Sequence, residues 1–136
     1  MNILTFLKLY GVALPVFFGI DMIWLGVVAK TFYRKHLGYL LASPPRWSAA
    51  ILFYLLYIGG VIFFAVLPAR DIGSASRAAL YGALFGFFTY ATYDLTNLAT
   101  VRDWPLIVTI VDICWGTLLG CSVAFLTFLL SAKLRI

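Results

Sequence analysis

Four apolar stretches, at about residues 4–29, 47–67, 76–99 and 104–132, occupy most of the chain, and each is long enough to cross a hydrocarbon core of about 30 Å as an α-helix. A water-soluble domain cannot carry them. Of the 136 residues, 64% are hydrophobic and 11% charged, whereas a soluble exterior needs about a quarter of its residues charged. The expected fold is therefore all-α, a four-helix transmembrane bundle forming one integral membrane domain over residues 1–136.

The ends of the stretches carry stop signals. Pro44 and Pro45 precede the second, Pro68 follows it, and Asp103 with Pro105 opens the fourth. Trp47 and Trp104 suit the headgroup level, and Pro15 is expected to kink the first stretch. That stretch reads as a span rather than a cleavable leader, because Lys8 is its only early positive side chain, an Asp interrupts it and no A-x-A-like site follows. Between the first two stretches, Phe32, Tyr33, Leu37, Leu40 and Leu41 recur at helical spacing, with Arg34 and Lys35 on the other side. This pattern predicts a short amphipathic interfacial helix over residues 31–41.

The net charge of +5 comes from ten Lys and Arg against five Asp, with no Glu. The cations sit at the ends of the apolar stretches, where they snorkel to lipid phosphates, so membrane lipids rather than nucleic acid are the expected partners. Four spans put Lys8, Arg70, Arg77, Lys133 and Arg135 on one face and Lys30, Arg34, Lys35, Arg46 and Arg102 on the other. Five against five leaves the positive-inside rule without a preference and allows an antiparallel homodimer. Cys114 and Cys121 lie seven residues apart in one stretch, about 10 Å along a helix, too far for a disulfide between them and unlike a metal-binding spacing. His36 is the sole histidine, expected at the interface, and no Lys lies mid-span. Bis-histidine haem and a retinal-type Schiff base are thereby excluded; no cofactor and no metal are expected.

Three of the five acids, Asp21, Asp94 and Asp112, fall inside apolar stretches. Each opposes insertion by about 2.5 to 3.5 kcal/mol at mid-helix, so intramembrane acids are retained for a reason. Counted from Lys30, Arg102 and Asp103, each should sit about 12 to 14 Å below the face bearing the first loop, which makes the three coplanar candidates for one site. Tyr90, Tyr93, Asp94 and Asn97 share an arc of the third helix with Gly82 and Gly86. In the fourth helix, Thr109, Asp112, Gly116 and Gly120 form a similar stripe, with Trp115 at its edge. Asp21 is followed three residues later by Trp24, as Asp112 is by Trp115, offering indole donors to the carboxyls. The two Gly-x-x-x-Gly patterns suit dimer faces or, as they share stripes with acids, close packing within one bundle, which is the favoured reading. No Lys, Arg or His lies at the same depth. Arg46, at the start of the second stretch, is the best-placed charge partner, and without it at least one acid is expected to keep its proton near neutrality.

The strings GIDMIWLGVVAKTFYRKHLG at residues 19–38, YATYDLTNLATVRDWP at 90–105 and VDICWGTLLG at 111–120 resemble domain-of-unknown-function family 2177, small predicted bacterial membrane proteins. The resemblance spans nearly the whole chain. It implies a multi-pass protein of the bacterial cytoplasmic membrane, and it brings no activity, substrate or catalytic residue. Three classes of function fit the residues. One is binding or transport of a proton, a small cation or a polar lipid at Asp21, Asp94 and Asp112, with Trp24, Tyr90, Tyr93, Asn97 and Trp115 around them. Another is a membrane-embedded enzyme acting on lipid, with one Asp as base and a protonated Asp as acid. The last is a structural or accessory subunit in which the same side chains form a ligand-free hydrogen-bond network.

Overall fold

A computed structural model describes residues 2–136. The described residues form four long helices and no strand: α1 (Ile3–Leu37), α2 (Trp47–Ile72), α3 (Ala75–Thr100) and α4 (Leu106–Lys133). Asn2 caps α1 by accepting from the Leu4 N–H at 3.0 Å. The helical backbone runs on through Pro15 and departs from α geometry only at Leu25–Ala29, which forms a π-helical turn.

Two boundaries differ from those expected, and π-helical turns explain both. Residues 31–41 do not make a separate interfacial helix. Lys30–Leu37 continues α1 directly beyond its π turn, while Leu40 and Leu41 lie exposed in the loop. Neither Pro nor Gly separates Ala29 from Thr31, so nothing in the sequence stops the helix there. Pro68 likewise fails to end α2. A π turn at Ile62–Val66 precedes it, in which the Leu67 N–H bonds to Ile62 O five residues back. Widening the ladder at that point makes room for a ring that has no N–H and crowds the preceding turn. α2 then ends at Gly73, whose φ of 72° supplies the left-handed closing residue. Ser74 begins α3 at once by accepting from the Arg77 N–H at 3.4 Å.

α1, α2 and α4 are long and apolar enough to cross a membrane; α3 has the length, at 26 residues, but a lower hydropathy. Arg77, Asp94, Asn97 and three tyrosines account for most of that difference, while the threonine hydroxyls are turned inward along the helix. Thr89 donates to Phe85 O, Thr92 to Phe88 O, Thr96 to Thr92 O and Thr100 to Thr96 O.

α3 and α4 pack as an antiparallel pair through their glycines. A Cβ at Gly82 would strike the backbone of Gly120, and one at Gly86 the backbone of Gly116, so the two Gly-x-x-x-Gly patterns face each other within the chain. Away from the first loop, a fully buried apolar layer joins Leu9, Ala13 and Phe17 of α1 to Ile58, Val61, Ile62, Ala65 and Val66 of α2 and to Leu119, Val123 and Ala124 of α4. Asp21, Asp94, Thr109 and Asp112 are buried toward the other end, and Thr127 and Ser131 beyond the layer.

Candidate functional site

The level of the polar site is set by an aromatic stack. Trp24 of α1 and Trp115 of α4 lie with ring centroids 4.3 Å apart and planes within 6°. Further along, the Tyr33 hydroxyl donates to Asp112 Oδ1. As the α1 numbers rise from 24 to 33, the α4 numbers fall from 115 to 112, so these helices are antiparallel. Each Trp follows its aspartate by three residues, which puts Asp21 and Asp112 on opposite sides of the stack, offset by roughly 9 Å along the bundle.

Asp94 and Asp112 do meet. Both are buried, at 0% and 7% exposure, and their carboxyls interact directly across the α3–α4 interface. No donor group reaches either oxygen of Asp94, so its bond to Asp112 needs a proton on one of the two carboxyls. Asp94 is held in register by Thr109, whose hydroxyl contacts Asp94 O at 3.5 Å while accepting from the Trp104 indole at 3.1 Å. Asp21, 4% exposed, keeps one buried oxygen unpartnered and has Tyr54 of α2 beside it. Tyr90 packs against Gly116 of α4 and sets its ring edge-on to Tyr57 at 6.2 Å. By this helical count Asp21 lies apart from the level of Asp94 and Asp112. Among the described residues no three His, Cys, Asp or Glu side chains converge closely enough to hold a metal ion.

The remaining expected site residues divide. Tyr93 is 60% exposed and packs edge-on against Trp104 at 5.9 Å; Asn97 is half-buried one turn on, beside Tyr93 rather than the carboxyls. Arg46 is not a charge partner. It stands exposed at the start of α2 on the wall of a different cleft, with Arg34. The polar partners of the acids are phenols: Tyr33 at Asp112 and Tyr54 at Asp21.

A cavity of about 310 Å³ adjoins this group, lined by Phe53 of α2, Thr89, Tyr90 and Tyr93 of α3, and Asp112 of α4. Asp112 is the only one of the three acids on its wall. Thr89 also borders an apolar groove formed with Phe64, Phe85 and Phe88. Sequence reasoning missed Tyr33, Tyr54, Tyr57, Phe53 and Thr89. The spacing of Tyr54 and Tyr57, on one face of a helix otherwise nearly free of polar groups, was the available signal for two of them.

Long apolar helices around buried, mutually facing carboxyls define a membrane protein with a polar interior. The chain belongs to the family described as predicted membrane protein (DUF2177), whose profile matches residues 6–129. No curated protein and no solved structure matches it.

Proposed function

We propose that the chain is a four-span protein of the bacterial cytoplasmic membrane that binds a proton or a small cationic or protonatable group at Asp94 and Asp112 and passes it between helices. The observation that carries this reading is Asp94, fully buried with no donor group at either oxygen and its carboxyl against that of Asp112, an acid that opens on a cavity. A carboxyl so placed is costly unless it is neutral or meets a positive charge. The cavity of about 310 Å³ has room for an ammonium group or a hydrated cation, and the neighbouring apolar groove has room for a hydrocarbon tail.

Counting α3 as a span rests on its back-bonded threonines and on its close packing along α4, which itself qualifies as a span. The Lys30–Leu37 end of α1 then reaches the headgroup region, with Arg34 and Lys35 exposed. Four helices enclose little volume, so transport by this reading takes place in a homodimer.

A lipid-soluble carbodiimide reacts with protonated carboxyls that water does not reach. Peptide mass spectrometry of the reconstituted protein should find the adduct on Asp94 or Asp112, and Asp94→Asn or Asp112→Asn should abolish proton or cation flux into vesicles. Flux that survives both substitutions would remove the reading.

A structural role is the second reading. It is favoured by the Trp24–Trp115 stack and the Tyr33–Asp112 bond, which tie α1 to α4 with no ligand. The lack of a donor group at the Asp94 oxygens weighs against it.

A further inference from the structure

A second cleft, of about 710 Å³, lies at the end of the bundle that carries the α1–α2 connection. Arg34, from the last turn of α1, and Arg46, at the start of α2, both border it, with Gly38, Leu41, Pro45 and Ala50 between them. Both arginines are exposed, and no acid lines the cleft. The first turn of α2 adds to the positive field. Its cap residue, Arg46, makes no side-chain capping bond, and no acid occupies that turn, so the positive end of the helix dipole is left without a counter-charge.

The rest of the wall is apolar. Leu41, Pro45 and Ala50 offer hydrocarbon contact, and Trp47, 65% exposed, stands next to Arg46 at the start of a membrane-length helix, where aromatic side chains meet the headgroups. A guanidinium matches two phosphate oxygens with two parallel N–H donors, which a lysine ammonium does not.

We propose that this cleft is a binding site for the phosphate of an anionic membrane phospholipid, gripped between Arg34 and Arg46, with the glycerol and upper acyl carbons against Leu41, Pro45 and Ala50. Free phosphate carries the same anion, but the apolar wall and the position beside the start of α2 suit a lipid. The site is separate from the acidic one. Tyr33 turns inward to Asp112, whereas Arg34, the next residue, borders the cleft.

The test uses the full chain purified in detergent and reconstituted in nanodiscs of phosphatidylcholine with a minority of phosphatidylglycerol. Native mass spectrometry counts the lipids that stay bound. The wild type is expected to retain phosphatidylglycerol in preference to phosphatidylcholine, and Arg34→Gln with Arg46→Gln to lower that preference about tenfold or more. Arg34→Lys with Arg46→Lys should keep part of it, and Lys133→Gln, at the other end of the bundle, all of it. Because both arginines are exposed, the variants should match the wild type in helix content by circular dichroism. Equal preference in the wild type and the Gln double variant would overturn the proposal, as would an equal loss in Lys133→Gln. Displacement of the lipid by excess inorganic phosphate would overturn the lipid assignment.

Discussion

Trp24 and Trp115 lie face to face, 4.3 Å between centroids and 6° from parallel, and each stands one helical turn from a buried aspartate. The stack joins the first helix to the last and separates the Asp21 level from the level of Asp94 and Asp112. Both indoles are half-buried, so the pair bridges packing and site.

The two rings should therefore be coupled energetically. A double-mutant cycle of Trp24→Ala and Trp115→Ala, read by unfolding in mixed micelles, is expected to give an interaction of about 0.5 to 1.5 kcal/mol beyond the single losses. Strictly additive losses would mean that the rings pass each other without contact.

Tyr33 supplies the hydroxyl that Asp112 accepts. Tyr33→Phe leaves the ring and deletes that donor, which should destabilise the protein by about 1 to 3 kcal/mol through an unsatisfied buried oxygen. The same variant should make Asp112 more reactive toward carbodiimide. An unchanged melting curve with unchanged labelling would show that the bond does not form in the membrane.

The glycines along α3 and α4 differ sharply from those on α1. Gly86→Ala would drive a Cβ into the Gly116 backbone, whereas a Cβ at Gly19 meets nothing within 4 Å. The first substitution is expected to cost about 1 to 3 kcal/mol or more. Gly19→Ala should be neutral or slightly stabilising, since alanine is the better helix former. Thermal unfolding of the two variants side by side checks this, and similar midpoints would rule out the close α3–α4 contact.

Asp94 separates a ligand site from a structural network. With its carboxyl buried against that of Asp112 and no donor group at either oxygen, Asp94 opposes folding unless a proton or a cation joins the pair, so Asp94→Leu should raise stability by about 1 to 3 kcal/mol while removing flux. Asp94→Asn should fall between Leu and the wild type. Loss of stability in Asp94→Leu would favour the ligand-free network.

The apolar runs made the helices legible, and the interruption of those runs by Asp21, Asp94 and Asp112 made the site's acids legible, because both signals depend on composition along the chain. Signals that depend on helical phase were not fully legible. On an ideal helix Tyr33 lies about 120° from Asp21, but a π turn takes up one extra residue and brings the two to within about 20°. Tyr33 therefore read as part of an interfacial face and proved to be the partner of Asp112. Arg46 misled for a different reason. Its place at the start of α2 sets its level but not its direction, and it borders the cleft with Arg34 instead of turning to the carboxyls. Nothing in the residue types gives the offset of Asp21, which follows from the antiparallel stacking of the two tryptophans.

The dry layer formed by Phe17, Ile58, Ile62, Leu119 and Val123 has a mechanical consequence. It is built of apolar side chains alone, so on the reading proposed above a proton or cation held at Asp94 and Asp112 would leave by the way it entered while α1, α2 and α4 remain in contact. On that reading, passage to the far side would require those three helices to part, and its rate would be set by how readily they separate rather than by how tightly the acids hold their guest.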